Sequence, residues 1–170
     1  HPEATAIFIS GCGGDQNPTP RRSLEWAQRH GRALANAVEA ALATRSQSVS
    51  GPLGLALDEA TLELAEPPSL DELRERANSG NKYESRHAKE VLDELERTGG
   101  VDRTYPYLVH VLRFGDDLTM VGLAGEVVVD YSLRLKKELP GPVWVAGYCN
   151  DVFGYVPSKR VLEEGGYEAK

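Results

Sequence analysis

The chain has little of what staples a small fold or spans a membrane. Its two cysteines, Cys12 and Cys149, are too few for a disulfide scaffold and have no CxxC spacing for a structural metal. Each follows an apolar run of strand type, so two readings stay open: free buried thiols, or one disulfide between them. No apolar run approaches 18 residues, and no transmembrane helix is expected. Cations are also short, with 19 Lys and Arg against 26 Asp and Glu and a formal charge of −7. A nucleic-acid surface needs clustered cations, and Arg21-Arg22 is too small a patch. An initiator methionine, a signal-like apolar segment and a closing element after Gly165-Gly166-Tyr167-Glu168 are missing too. Such ends are those expected of a segment of a longer chain, and absent targeting signals then say nothing of location.

What is present is an ordinary globular composition, 41% apolar and 26% charged. At 170 residues it makes one domain or part of a larger one, able to bury about 70% of its unfolded surface. Ala4 to Ser10 is a short apolar, β-branched run closed by Gly11, which predicts a buried strand. A loop with three glycines and two prolines follows, Gly11 to Pro20. Ser23 is placed to cap a helix running to about Thr44, with Leu24, Ala27, Leu34, Val38, Ala41 and Leu42 in one stripe and Gly31 on the face toward a sheet. Leu53 to Leu64 reads as a second strand. Ser69-Leu70-Asp71-Glu72 is a capping box opening a short helix. A longer charged helix from about Tyr83 to Thr98 ends at Gly99-Gly100, with Tyr83, His87, Val91, Leu92 and Leu95 toward the core. His87 at the edge of that face is either structural or a ligand.

Tyr107 to Phe114 and Leu118 to Leu123, joined by Gly115-Asp116-Asp117, predict an antiparallel hairpin. Val143 to Gly147 is another strand bounded by prolines, and Ser158 caps a last short helix ending at Gly165. The fold class expected is α/β: one segment, residues 1–170, with a mixed β-sheet and helices packed on its faces.

The organising stretch is Leu118 to Glu126, an apolar strand that ends in a small-residue turn and delivers one carboxylate. Tyr131, Leu135 and Leu139 share a helical stripe after it, so a helix from Glu126 to about Leu139 is expected, although Val127-Val128-Val129 is β-branched and argues against a helix start. Glu126 in the first turn would be favoured as an anion by roughly 0.3–1 kcal/mol. It reads as a helix cap or as a metal ligand. Three strand ends carry polar groups: Asp15 and Asn17, then Glu126, then Asn150, Asp151 and Tyr155. In open α/β sheets, sites lie outside the carboxyl ends of strands.

Gly14-Asp15-Gln16-Asn17-Pro18, Gly125-Glu126, the run Asn150 to Ser158 and the ending Glu163 to Glu168, in that order, resemble the neutral/alkaline non-lysosomal ceramidase family. The similarity covers nearly the whole chain and corresponds to the latter half of that family's catalytic domain. Members hydrolyse the amide of ceramides with one zinc held by two histidines, a glutamate and a tyrosine. The resemblance implies Glu126 and Tyr155 as metal ligands, with the two histidines in motifs upstream of this chain. His1, His30, His87 and His110 lie in no matching context. It also implies a lipid-like or other amide small-molecule substrate and a secreted or periplasmic setting. Two oxygen ligands do not make a stable zinc site, so the segment alone is expected to bind zinc weakly or not at all.

The departure is at the nucleophile, where the family's serine position is Asn17, whose amide cannot attack a carbonyl. A zinc-bound water needs no side-chain nucleophile. Asp15 and Asn17 would then face the substrate, with Asn17 as a donor to the developing oxyanion. Asn150 and Asp151 would support the ligands from behind. The expected function is part of a zinc-dependent amide hydrolase; the alternative is an inactive ceramidase-like binding or structural module. A third reading takes Cys12 as nucleophile, though no paired histidine is evident. A half-domain with an uncovered sheet edge also predicts a homodimer.

Overall fold

The computed structural model describes Glu3 and residues 5–169. It is an α/β fold with a mixed four-stranded sheet, as expected, and the chain divides into two compact units, residues 1–58 with 108–170, and residues 59–107. In chain order the elements are α1 (Leu24–Leu42), β1 (Leu53–Glu63), α2 (Leu70–Ala77), α3 (Lys82–Thr98), β2 (Thr104–Phe114), β3 (Leu118–Leu123), β4 (Glu126–Val127), α4 (Val129–Glu138), β5 (Val143–Ala146), β6 (Tyr155–Val156) and α5 (Lys159–Glu164). The larger sheet runs β1-β2-β3-β5 and a small one pairs β4 with β6.

In the unit of residues 59–107, the Ser69–Glu72 capping box forms in both directions, and Gly99 ends α3 in the left-handed conformation. The two helices pack through Leu73 and Ala88, both fully buried. The face of α3 expected inside is displaced. Ala88 is at its centre, Val91, Leu92 and Leu95 are half-buried, and His87 and Tyr83 are exposed, Tyr83 by 87%. A small residue lets the two helix backbones approach, and the aromatic ring at the end of the stripe is left outside.

In the other unit the hairpin closes as its turn residues dictate, with Phe114 opposite Leu118 and His110 opposite Gly122. β3 and β5 are parallel neighbours, Val121 facing Val145, with α4 crossing between them and packing on β5. The core lies here: Val121, Leu123, Val127, Val128, Val145 and Val156 are buried. Val127 and Val128 are completely enclosed, a contribution of about 1.5–3 kcal/mol each.

Three expectations fail in this unit. Residues 5–10 form no strand, and Ala4, where that run was expected to begin, lies outside the described residues. A bond from Gly147 N–H to the Ser10 carbonyl (3.1 Å) ties the run to the end of β5, and Ile7 and Phe8 are exposed by 83% and 76%. A buried strand needs a layer over it, and the helix that should provide one does not. α1 forms with its Ser23 cap, but none of its residues is buried and nothing beyond its own helix backbone lies within 4 Å of a Cβ built on Gly31. Glu126, finally, does not open a helix. Glu126-Val127 is extended and paired with Tyr155-Val156, and α4 begins at Val129. β-branching and cross-strand bonding, from Glu126 N–H to the Gly154 carbonyl (2.8 Å) and Val128 N–H to the Val156 carbonyl (3.3 Å), outweigh the helical stripe that starts only later.

α4 is tied to α5 through Asp130. Its carboxylate accepts from Ser158 Oγ (2.6 Å) and from Arg160 Nε and Nη2 (both 2.9 Å). The Arg160 guanidinium, and then the Ser158 hydroxyl, hold this carboxyl below the usual aspartate range. Because the folded-state pKa lies below the unfolded one, the pair stabilises the fold above the ordinary aspartate range and loses that contribution as pH falls through it. Denaturation midpoints followed from about pH 6 to about pH 2 should therefore fall less steeply for Asp130→Asn than for the wild type. Parallel slopes would contradict the assignment.

Candidate functional site

Four segments meet at the carboxyl ends of β3 and β5. The loop 11–17 arrives first. Its Gly11 and Cys12 lie against Gly147, so closely that a Cβ on Gly147 would stand 2.9 Å from the Gly11 carbonyl oxygen. Gly14 N–H donates to the Val127 carbonyl (2.9 Å), which stitches this loop to β4. The loop 147–151 folds over the end of β3: Tyr148 N–H donates to the Gly125 carbonyl (3.0 Å), Cys149 N–H to the Leu123 carbonyl (2.9 Å), and Gly125 N–H to the Asp151 carbonyl (2.7 Å). β6 then returns alongside β4.

At the centre is Glu126. The parallel register puts it directly opposite Tyr155, so the two residues expected as metal ligands are side-by-side neighbours. Paired residues of adjacent strands present their side chains to the same face about 5 Å apart. Tyr155 and Tyr148 both stand near enough to the Glu126 carboxylate to feel its charge. Desolvation first, and then the nearby Glu126 charge, push both phenols above the ordinary tyrosine range. Tyr155 is further held by Tyr167, edge-on at 5.5 Å.

Tyr148 went unnoticed in the sequence. Its φ is +59°, and Asn150 two residues on has φ +66°. Asparagine tolerates this region; an aromatic residue there is an outlier, costing of order 1–3 kcal/mol and persisting only where the surroundings enforce it. The phenol lies against the loop 11–17, with its oxygen 3.3 Å from a Cβ built on Gly13. His110 was missed as well. Its ring lies over Gly122, and its Nδ1 accepts from Asn150 Nδ2 (3.0 Å).

The other expected residues are arranged as follows. Asp15 reaches the centre, but its Oδ1 accepts from Val129 N–H (2.8 Å), the first amide of α4, whose own N-cap residue Val128 offers no side-chain acceptor. The helix-capping role read for Glu126 thus belongs to Asp15. Asn17 is exposed, with its Oδ1 accepting from Arg21 Nη1. Asn150 is turned to His110, and Asp151 pins Gly125 through its carbonyl. Cys12 is buried and Cys149 half-buried, both as free thiols. Burial pushes the Cys12 thiol up, against smaller opposing effects of the Ser132 backbone and Lys136, so it is held as an unreactive thiol.

Glu126 and Tyr155 offer two adjacent hard oxygen donors, which fit part of a zinc site and not the whole of one. Among the described residues no group of three or more His, Cys, Asp and Glu is placed to hold a metal. His30 Nε2 donates to the Pro20 carbonyl (2.7 Å), His110 is engaged with Asn150, His87 is exposed, and His1 lies outside the described residues. Beside His110 and Asn150 a hollow of about 430 Å³ is walled by Leu55, Leu57 and Leu112. Among the described residues no helix is long and apolar enough to cross a membrane. No protein-family model, no curated protein and no solved structure matches this chain.

Proposed function

We propose that this chain carries the glutamate–tyrosine half of a zinc site in an amide hydrolase resembling neutral ceramidase. The observation that supports this reading is the register of β4 and β6, which sets Glu126 beside Tyr155 although nothing in their local sequence requires them to meet. Those two side chains would hold the ion together with histidines from outside these residues. When bound, zinc would supply a water acidic enough to act as nucleophile near neutral pH. The residues on hand do the rest: Tyr148 stands beside Glu126, Tyr167 packs on the ring of Tyr155, and the apolar hollow beside Asn150 offers a wall for a lipid-like or other small amide substrate.

A second reading has specific support. Asp15 and Asn17, expected to face substrate, are bonded to α4 and Arg21, as in a loop that serves structure alone. That arrangement favours an inactive ceramidase-like binding or structural module.

Metal content of the desalted full-length protein, wild type beside Glu126→Ala, separates the two. About one zinc per chain in the wild type and little in the variant is the result expected of the hydrolase. No zinc in either, with both folded, would leave the module. Light scattering on the same samples is expected to show a dimer closed over an uncovered sheet edge, and a monomer at high concentration would remove that part of the reading.

A further inference from the structure

Strands β2, β3 and β5 lie side by side, so a residue of β2 and the loop leaving β5 are two strand spacings apart, roughly 10 Å. His110 and Asn150 nevertheless touch, Nδ2 to Nδ1 at 3.0 Å. The span is bridged because the residue of β3 directly opposite His110 is Gly122. The imidazole lies down in the slot this glycine leaves, and a Cβ built there would overlap the ring at Cε1 and Nε2. The amide that meets it belongs to a residue in the left-handed region, two positions after Tyr148, which is in that region as well. The loop is also held by backbone bonds to Leu123, Gly125 and Ser10 and by the Cys149 thiol on the Gly147 carbonyl (3.4 Å).

We infer that His110 is a positioning residue: laid across Gly122 and bonded to Asn150, it braces the loop 147–151 in the strained conformation that presents Tyr148 to Glu126. It does not touch Glu126 and acts through Asn150. The bond direction fixes the ring, since an Asn150 N–H donating to Nδ1 leaves the imidazole proton on Nε2. The brace matters to activity only if the Glu126 centre is the functional site proposed above, and its own existence is testable without any activity.

Hydrogen exchange of individual amides in the full-length protein provides that test. Cys149 N–H and Gly125 N–H report whether the loop stays closed on β3. In His110→Ala both should exchange at least about tenfold faster, while the amide of Val121, in the middle of β3, is unchanged. His110→Asn places an acceptor close to the position of Nδ1 and should restore protection. Gly122→Ala should mimic His110→Ala by displacing the ring, and the double variant should be no worse than His110→Ala alone, because the new methyl then has room. Unchanged loop exchange in His110→Ala, failure of Asn to rescue, or faster exchange throughout the sheet would each overturn the brace. Affinity for zinc alone, measured on the same proteins, should fall about tenfold in His110→Ala and recover in His110→Asn. Zinc absent from the wild type would overturn the hydrolase reading, and the exchange data would still decide the brace.

Discussion

Gly14→Ala is expected to cost about 3 kcal/mol and to dislodge Glu126. The added Cβ would run into the Glu126 carbonyl oxygen and stand 3.0 Å from the carbonyl carbons of Glu126 and Val127. All three are backbone atoms, so no side chain can rotate away. β4 cannot retreat, since Glu126 N–H and Val128 N–H are already bonded to Gly154 and Val156 on its other side. Nor can the loop back off without losing the bond from Gly14 N–H to Val127 and the cap that Asp15 places on α4. Overpacking a core with flexible neighbours costs about 1–3 kcal/mol, and backbone against backbone belongs at the top of that range. Gly31→Ala is the matched control. That glycine sits inside α1 with open space around it, and alanine there should stabilise by about 0.5–1 kcal/mol. Urea denaturation of the three proteins checks both signs, and a loss under about 1 kcal/mol in Gly14→Ala would show that the loop and β4 are not in contact in solution.

Much of this architecture was legible because its signals are local. The caps at Ser23, Ser69 and Ser158, the Gly99 stop and the Phe114–Leu118 hairpin each rest on residues within a few positions of one another. What escaped depends on partners far away in sequence. A strand of two residues has no periodicity to read, so Glu126-Val127 was absorbed into the helical stripe that follows, even with three β-branched residues arguing otherwise. The run at residues 5–10 has the composition of a buried strand and lacks the covering layer that would bury it. Tyr148 was invisible because a positive φ is not written in a tyrosine codon by codon; it follows from how Gly125 and Leu123 hold the loop. His110 did leave a trace. The hairpin register already places it opposite Gly122, and a glycine within an apolar strand marks a close approach.

Asp15→Ala should cost about 0.5–2 kcal/mol, with most of the loss recovered in Asp15→Asn. Val128, at the N-cap, has no side-chain oxygen to offer, and the Val129 amide donates instead to Asp15 Oδ1 at 2.8 Å, reached from a loop more than a hundred residues earlier. Removing it leaves a half-buried N–H without its acceptor and takes a negative charge from the positive end of the helix. Asparagine keeps an acceptor oxygen and gives up only the charge. Glu126→Ala, by contrast, removes a group that neither caps a helix nor fills the core, and should cost clearly less than Asp15→Ala in the same denaturation series. The reverse order would return Glu126 to the helix-capping role that its sequence first suggests. The expected order has a consequence for the zinc experiment: a Glu126→Ala protein that is as stable as the wild type and has lost its metal has lost a ligand, whereas Asp15→Ala would lose metal only through the loosening of β4 and α4. Stability and metal content therefore move together for Asp15 and separately for Glu126.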